Sequence, residues 1–172
     1  MPRPGKNHTA VLVALLACIS LQASASASTA ALSETVRFEG VWSTKWCDTS
    51  RPDSECGGFT ALLVQQGDRL CGRFSGVRPG LTQVDEGGPQ SVRGLVVNGT
   101  AVVAAVSGRN EGTYLVRLDR EGQRLRWRLL EQVGAPDNGD IQLIALDDVL
   151  TPEDGVAELA QLAMVREECV DE

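Results

Sequence analysis

The sequence predicts an all-β fold, an eight-stranded antiparallel up-and-down β-barrel with a C-terminal α-helix. From Phe38 onward, turn residues interrupt the chain at short intervals, and the stretches between them are rich in β-branched residues. The pairs Gly67-Asp68, Asn98-Gly99 and Glu121-Gly122 suit tight hairpins between neighbouring strands. Eight strands joined in this way would expose sheet edges unless the sheet closes into a barrel, with a two-sheet sandwich as the alternative.

The eight strands are expected at the apolar or alternating segments between these turns. They span Phe38–Trp46, Gly58–Gln66, Arg69–Val77, Ser91–Val97, Thr100–Ser107, Gly112–Asp119, Gln123–Glu131 and Asp140–Asp147. The seventh strand has the clearest pattern, because Leu125, Trp127 and Leu129 alternate with arginines. That period of two indicates one buried face and one solvent-exposed face.

The end of the chain predicts a helix from Pro152 to about Cys169. Thr151 offers an N-cap hydroxyl, Pro152 occupies the first helical position, and Asp154 lies three residues after the cap. Leu162, Val165 and Cys169 fall on one face of this helix. Cys169 is therefore expected to meet the barrel wall.

Four cysteines follow the leader segment: Cys47, Cys56, Cys71 and Cys169. An even number in an exported chain indicates disulfides, and we favour Cys47–Cys56 across a polar loop and Cys71–Cys169 between the barrel and the helix. Two other pairings are formally open. The only histidine, His8, lies in the leader, and no Cys-x-x-Cys spacing occurs, so we expect no metal site and no cofactor.

Residues 1–27 have the pattern of a signal peptide. Arg3 and Lys6 precede an apolar run of about a dozen residues and then a stretch of alternating alanine and serine. This predicts a periplasmic or secreted protein without a transmembrane helix. The segment that ends at Cys18 also matches a lipobox, which would anchor the chain to the envelope by a lipid instead. We expect residues 28–37 to be a flexible lead-in and 38–172 to form the domain.

Charge and composition exclude several classes of function. The formal net charge is −7, with the acids concentrated in residues 147–172, so nucleic acid is not an expected partner. Without a histidine beyond the leader, the chain has no Ser-His-Asp or Cys-His arrangement, and we expect it not to be an enzyme. A carboxylate-dependent hydrolase is a third alternative, with its acids drawn from Asp85, Glu86, Asp137 and Asp140.

The segment Gly40-Val41-Trp42 on the first predicted strand resembles the Gly-x-Trp signature of calycin barrels, the lipocalins and avidin-like proteins. The resemblance implies a barrel that holds a ligand, with this tryptophan closing one end beneath an arginine from a late strand, here Arg126 or Arg128. Trp42, Trp46 and Trp127 are then the candidate ligand-binding residues. The longest loops, Arg78–Gln90 and Gln132–Gly139, are the expected rim of the entrance.

The chain is also similar in size, export and early Gly-x-Trp-like strand to small periplasmic barrels that inhibit lysozymes or metalloproteases. The expected function is therefore an exported binding protein for a small apolar ligand or for a secreted or periplasmic protein. The alternative is an enzyme inhibitor that inserts a loop, or the segment Ser28–Val36, into its target.

Overall fold

The structure is a computed structural model that describes residues 36–134 and 142–170. The predicted signal peptide, the Cys18 lipobox and nearly all of the 28–37 segment lie outside these residues. The strands are β1 Gly40–Trp46, β2 Gly57–Gln66, β3 Arg69–Val77, β4 Val84–Glu86, β5 Val92–Val97, β6 Thr100–Val106, β7 Thr113–Glu121, β8 Arg124–Gly134 and β9 Asp147–Glu153. One α-helix, α1 Val156–Glu168, follows them.

Eight of these strands close into an antiparallel barrel, as predicted. The sheet runs β2-β1-β9-β8-β7-β6-β5-β3, and β2 also pairs with β3, which joins the two ends of the sheet. The short β4 is additional and pairs with the end of β3 through Ser75–Val77. Closure gives every barrel strand a paired neighbour on both sides, so none is an edge strand, the usual site of strand-to-strand aggregation.

The two ends of the barrel are built differently. At the hairpin end, the turns at residues 67–68, 98–99 and 122–123 join neighbouring strands, and Gly67, Asn98, Gly99 and Gly122 all have positive φ. At the loop end lie the longer connections at residues 47–56, 78–91, 107–112 and the described part of 135–146. The residues that lie outside the barrel strands are therefore concentrated at the loop end.

The helix α1 covers part of the outer barrel wall. Leu162 and Val165 pack on Val41, Leu62 and Val64, which point outward from β1 and β2. Each of these buried side chains contributes about 1.5–3 kcal/mol of hydrophobic stabilisation. No helix among the described residues is long and apolar enough to cross a bilayer.

Both predicted disulfides are present. Cys47–Cys56 closes the polar loop at the loop end, and Cys71–Cys169 joins β3 to the residue that follows α1. The side-chain amide of Gln90 and the guanidinium of Arg73 also hold the end of the helix, through Glu168. The helix is thus fixed to the barrel covalently as well as by packing.

The last strand and the start of the helix differ from the prediction. The strand expected at Asp140–Asp147 is instead β9 at Asp147–Glu153, and α1 begins at Val156 rather than Pro152. Residues 142–146 turn inward across the loop end. The ladder between β9 and β8 ends at Leu150, so Pro152, which has no N–H to donate, lies beyond that pairing and opposite Trp42 of β1. Gly155 is the actual N-cap of α1.

Candidate functional site

The barrel interior is filled by apolar side chains. Phe59 lies at its centre, with its ring centroid 4.9 Å from that of Trp127 and 5.8 Å from that of Phe74. Around them pack Phe38, Trp42, Leu63, Leu70, Val92, Val103, Tyr114, Val116, Leu118, Leu125 and Leu150, all buried. Eight strands give a barrel just wide enough for side chains to fill, and this one is filled.

The three tryptophans predicted to bind a ligand do not share one open cavity. Trp127 is fully buried, and its indole donates to Ala145 O at 3.3 Å. Trp46 is half-buried on the other side of Phe59, with ring centroids 6.2 Å apart, and its indole donates to Asp148 Oδ1 at 2.8 Å. Trp42 packs nearer the hairpin end, where its indole donates to Phe38 O at 2.8 Å. Each indole N–H has a protein acceptor, so all three fit the pattern of core residues.

An arginine does cover the tryptophan of the Gly-x-Trp segment, but it is neither Arg126 nor Arg128. The guanidinium of Arg120, at the end of β7, lies 4.4 Å from the ring centre of Trp42. It also donates to Arg37 O and Gly122 O, at 3.1 and 3.0 Å. Arg126 and Arg128 point outward and pair with Asp147. The outward register of β8 excludes both from the ring of Trp42.

The loop end is closed by the chain itself. Leu143, Ile144 and Ala145 are buried there, and the methyl groups of Ile144 pack so closely over Gly76 that a side chain at Gly76 would collide with them. The backbone of residues 142–146 is held by Arg109, Arg78 and the N–H of Leu129, with donor–acceptor distances of 2.6–2.7 Å. The loops predicted to rim an entrance do emerge at this end, although residues 135–139 lie outside the described residues.

Of the carboxylates considered for hydrolysis, the two that the structure describes, Asp85 and Glu86, point to opposite faces of β4. Asp85 is buried and accepts hydrogen bonds from Ser107 Oγ, at 2.9 Å to both of its oxygens, and from Arg109 N at 3.4 Å. Glu86, the next residue of β4, is exposed on the opposite face. Asp137 and Asp140 lie outside the described residues. The contacts of Asp85 fix the 107–112 turn to β4, which is a structural task.

The disulfide loop, residues Cys47–Cys56, is held in one shape by its own side chains. Asp48 accepts from the Ser50 hydroxyl and backbone N–H and from the Arg51 guanidinium, at 2.6–2.9 Å. The Ser50 hydroxyl, then Arg51, lower the pKa of Asp48 from its usual 3.8 to about 2. The loop is therefore cross-linked by the disulfide and capped by an ionised carboxylate at neutral pH.

Against this loop lies the Leu81 turn, residues Arg78–Gln83. Its ends are joined by Arg78 N donating to Gln83 O at 2.8 Å, and Gly80 N donates to Glu55 O of the disulfide loop at 2.9 Å. Leu81 is at the tip, 64% exposed and with a φ of 55°. A left-handed conformation is costly for a residue with a bulky side chain, and it is maintained only where surrounding contacts impose it.

Arg78 connects this turn to the rest of the loop end. Its guanidinium lies 4.5 Å from the ring centre of Trp46 and donates to Ile144 O at 2.6 Å. One side chain thereby ties the Leu81 turn to β1 and to the segment that closes the barrel. Beside it is an open cleft of about 530 Å³, whose lining includes Lys45, Arg51 and Thr82.

We call the Leu81 turn and the disulfide loop together the loop-end surface. The Pro79-Gly80 pair is the sequence feature that could predict this turn, since the dipeptide is typical of turns. Nothing in the sequence identifies Leu81 as exposed, because a leucine beside a turn is more often a core residue. The sequence therefore predicts a site made of tryptophans, whereas the exposed apolar residue of the loop-end surface is Leu81.

Across residues 36–134 and 142–170, no three histidine, cysteine, aspartate or glutamate side chains gather where they could hold a metal ion. The closed eight-stranded antiparallel barrel with a C-terminal helix fits a calycin-like architecture. In comparisons with known proteins, no protein-family model, curated protein or solved structure matches the chain.

Proposed function

We propose that this chain is an exported binding protein that recognises a protein partner through the loop-end surface. The observation that carries the proposal is Leu81, an exposed apolar side chain held at positive φ on a turn that is hydrogen-bonded to a disulfide-closed loop. Export is supported by the two disulfides, which persist in oxidising compartments.

The filled interior favours a protein partner over a small apolar ligand. A drug-sized ligand needs a pocket of about 300–1,000 Å³ that encloses most of its surface. In this barrel the corresponding space holds Phe59, Phe74 and Trp127, and residues 142–146 close the loop end. The filled interior therefore supports recognition on the outside of a rigid scaffold.

Rigidity is what makes the loop-end surface suited to binding. The Leu81 turn is held by hydrogen bonds to Gln83 and Glu55 and by the contacts of Arg78 with Trp46 and Ile144. A preorganised loop loses little conformational entropy on binding, so more of the contact energy appears as affinity. An apolar centre with a polar rim is also the usual anatomy of a protein interface.

An enzyme inhibitor is the second candidate, favoured by the same strained turn. A convex, exposed turn that keeps its shape is able to enter the cleft of an enzyme without being ordered first. Of the alternative segment Ser28–Val36, only Val36 belongs to the described residues, where it packs on the core. We therefore assign insertion to the Leu81 turn in this version of the proposal.

Site-specific photo-crosslinking tests protein binding. A photo-reactive amino acid replaces Leu81 in one sample and Leu130, a half-exposed leucine of β8, in the matched control. We expect one dominant protein adduct from position 81 and none from position 130. With the identified partner purified, Leu81→Asp should weaken binding at least tenfold, which corresponds to about 1.4 kcal/mol.

A small molecule retained by the purified protein is the first sign that would contradict the proposal. Native mass spectrometry of the protein from its own envelope fraction would show a retained small molecule if the barrel is a carrier. Such an adduct, together with equal crosslinking from positions 81 and 130, would overturn recognition by the loop-end surface. The inhibitor version is tested by titrating secreted lysozymes and proteases, where we expect stoichiometric inhibition that Leu81→Asp abolishes.

A further inference from the structure

The cleft beside the Leu81 turn is lined mainly by basic side chains where it is charged. Lys45, Arg51 and Arg78 contribute to the lining, together with one carboxylate, that of Asp48. Asp48 is paired with Arg51 at 2.7 Å, so these two charges balance each other. Lys45 and Arg78 have no carboxylate at ion-pair distance among the described residues. The lining, which we call the basic cleft, therefore carries two positive charges that nothing within it balances.

The charge of the basic cleft is opposite to that of the whole chain. The formal net charge is −7, and the acids are concentrated in residues 147–172. No described residue of that range lines the cleft, including Asp148, which accepts from the indole of Trp46. Asp53 and Glu55, the other acids of the disulfide loop, are not part of the lining either. At physiological ionic strength charges are screened beyond about 8 Å, so the nearest groups decide what a surface attracts, and here they favour an anion.

Arg78 retains N–H donors that no described residue uses. Its guanidinium has five such donors, and one of them, on Nη2, is donated to Ile144 O at 2.6 Å. The same group is stacked on the ring of Trp46, and both of these partners are neutral. The contacts fix the side chain in place without balancing its charge. A guanidinium that is already held in position loses little entropy when it binds a carboxylate.

Lys45 is the second unbalanced cation of the cleft. It is exposed on β1, and its partner in the β1–β2 ladder is Gly58, which offers no side chain to pair with it. An ammonium group is a compact, strongly hydrated charge that suits the exposed edge of a site. Lys45 is also the only lysine of the sequence after residue 6, so amine chemistry can address it selectively.

The basic cleft adjoins the exposed leucine of the loop-end surface. Pro79 and Thr82, which precede and follow Leu81 in the same turn, both line the cleft. A protein segment that covers Leu81 therefore extends over the cleft as well. We propose that this segment of the partner is acidic and that one of its carboxylates binds to Lys45 and Arg78. This inference rests on the proposed function and adds the chemistry of the partner to it.

The two kinds of contact have different roles in such a complex. Burial of an apolar side chain mainly slows dissociation, whereas exposed charges at the edge of an interface mainly accelerate association and orient the partner. An arginine fork also binds a carboxylate through two parallel hydrogen bonds, which fixes its direction. The acidic segment is thus expected to contribute more to the association rate and to specificity than to the lifetime of the complex.

Carbodiimide coupling tests the contact at Lys45 directly. The reagent joins an amine to a carboxylate that touches it: an amide bond forms, and the carbodiimide takes up the water as a urea, so no spacer is added. With the partner captured from position 81, we expect mass spectrometry to find Lys45 Nζ joined to an aspartate or glutamate of that partner. Lys45→Arg keeps the charge but has no amine to couple, so this product should be absent.

Association kinetics give a second, independent readout. Lys45→Glu should lower the association rate constant for the captured partner about tenfold at low ionic strength, with little change in dissociation. The difference should vanish near 1 M salt, where the screening length is about 3 Å. Arg124→Glu, at an exposed arginine where β8 begins at the hairpin end, changes the net charge equally and is the matched control. It should leave the rate constant nearly unchanged.

A partner that is captured from position 81 but gives no amide with Lys45 overturns acidic recognition and leaves the proposed function standing. Equal association rates for the native protein and Lys45→Glu have the same meaning. Absence of any partner at position 81 overturns both proposals. An organic acid that native mass spectrometry finds on the native protein and not on Lys45→Glu also overturns the inference, because the cleft would then hold a small molecule.

Discussion

Each end of the barrel holds a tryptophan with an arginine stacked on it, but the two arginines are anchored differently. At the hairpin end, Arg120 covers Trp42 and donates to the backbone of Arg37 and Gly122. At the loop end, Arg78 covers Trp46 and donates to Ile144, which is 66 residues away in sequence.

This difference separates the end that short turns build from the end where we propose binding. The hairpin end consists of turns that local sequence specifies, and its arginine seals the core. The loop end consists of longer connections with little regular structure beyond the short β4, and long-range contacts hold them in place. Rigid loops on a stable scaffold are where proteins usually place recognition, so the loop end is where variation in function is expected.

The largest effect should come from removing the disulfides. Replacing Cys71 and Cys169 by serine opens a loop of 98 residues and should cost about 5 kcal/mol of unfolding free energy, because the unfolded chain gains entropy. Replacing Cys47 and Cys56, only 9 residues apart, should cost about 3 kcal/mol. Urea denaturation measures both values. A larger loss from the shorter loop would contradict the entropic account.

The two arginines give a matched pair of variants. Arg78→Ala and Arg120→Ala should each lower the unfolding free energy by about 1–2 kcal/mol, through the lost cation–π contact and hydrogen bonds. Hydrogen exchange should distinguish them: Arg78→Ala should expose the amides of residues 142–146, and Arg120→Ala should leave them protected. Equal protection in both variants would mean that Arg78 does not hold the loop end together.

A smaller effect, of opposite sign, is expected at the strained turn. Leu81→Gly should raise the unfolding free energy by about 0.5–1 kcal/mol, because glycine tolerates positive φ and Leu81 loses little packing. Asn98→Gly, at the positive φ of a hairpin turn, should change it by only a few tenths of a kcal/mol, since asparagine is already suited to that conformation. Thermal denaturation measures both. A destabilised Leu81→Gly variant would show that the leucine contributes to the fold.

The smallest effect is a local pH dependence. The lowered pKa of Asp48 means that its ionised form stabilises the disulfide loop above the usual value of 3.8, and that this contribution is lost as pH falls through about 2. NMR titration should give a midpoint for Asp48 near 2 and a concurrent change at the amide of Ser50. An Asp48→Asn variant should lack this transition. A midpoint near 3.8 would show that the Ser50 and Arg51 contacts do not persist in solution.

Most of the barrel could be predicted because its strands pair with sequence neighbours. Gly67, Asn98-Gly99 and Gly122 specify hairpins locally, and the alternation of Leu125 and Trp127 with arginines specifies which face is buried. The disulfides could be predicted because four cysteines allow few pairings and the helical period places Cys169 toward the wall. The alternation places Trp127 on the buried face of its strand, where the structure also has it, but burial and ligand binding produce the same sequence pattern.

The end of the chain shows where local signals fail. Thr151 and Pro152 have the features of a helix start, yet both belong to β9, because closing the barrel requires a strand between β8 and β1 and that gain outweighs a local cap. The arginine above Trp42 was misassigned for a similar reason. Register along β7 and β8, which no short motif specifies, places Arg120 over the ring and Arg126 outside.

Turn chemistry, periodicity and cysteine spacing were enough to predict an all-β fold of hairpin-linked strands, to favour the disulfide pairing that is observed, and to place Trp127 on a buried face. Three further properties became visible in the folded structure: the interior is full, residues 142–146 close the loop end, and Leu81 remains exposed. These properties depend on contacts between residues that are distant in sequence, and local sequence patterns carry no information about which distant side chains will occupy the same space.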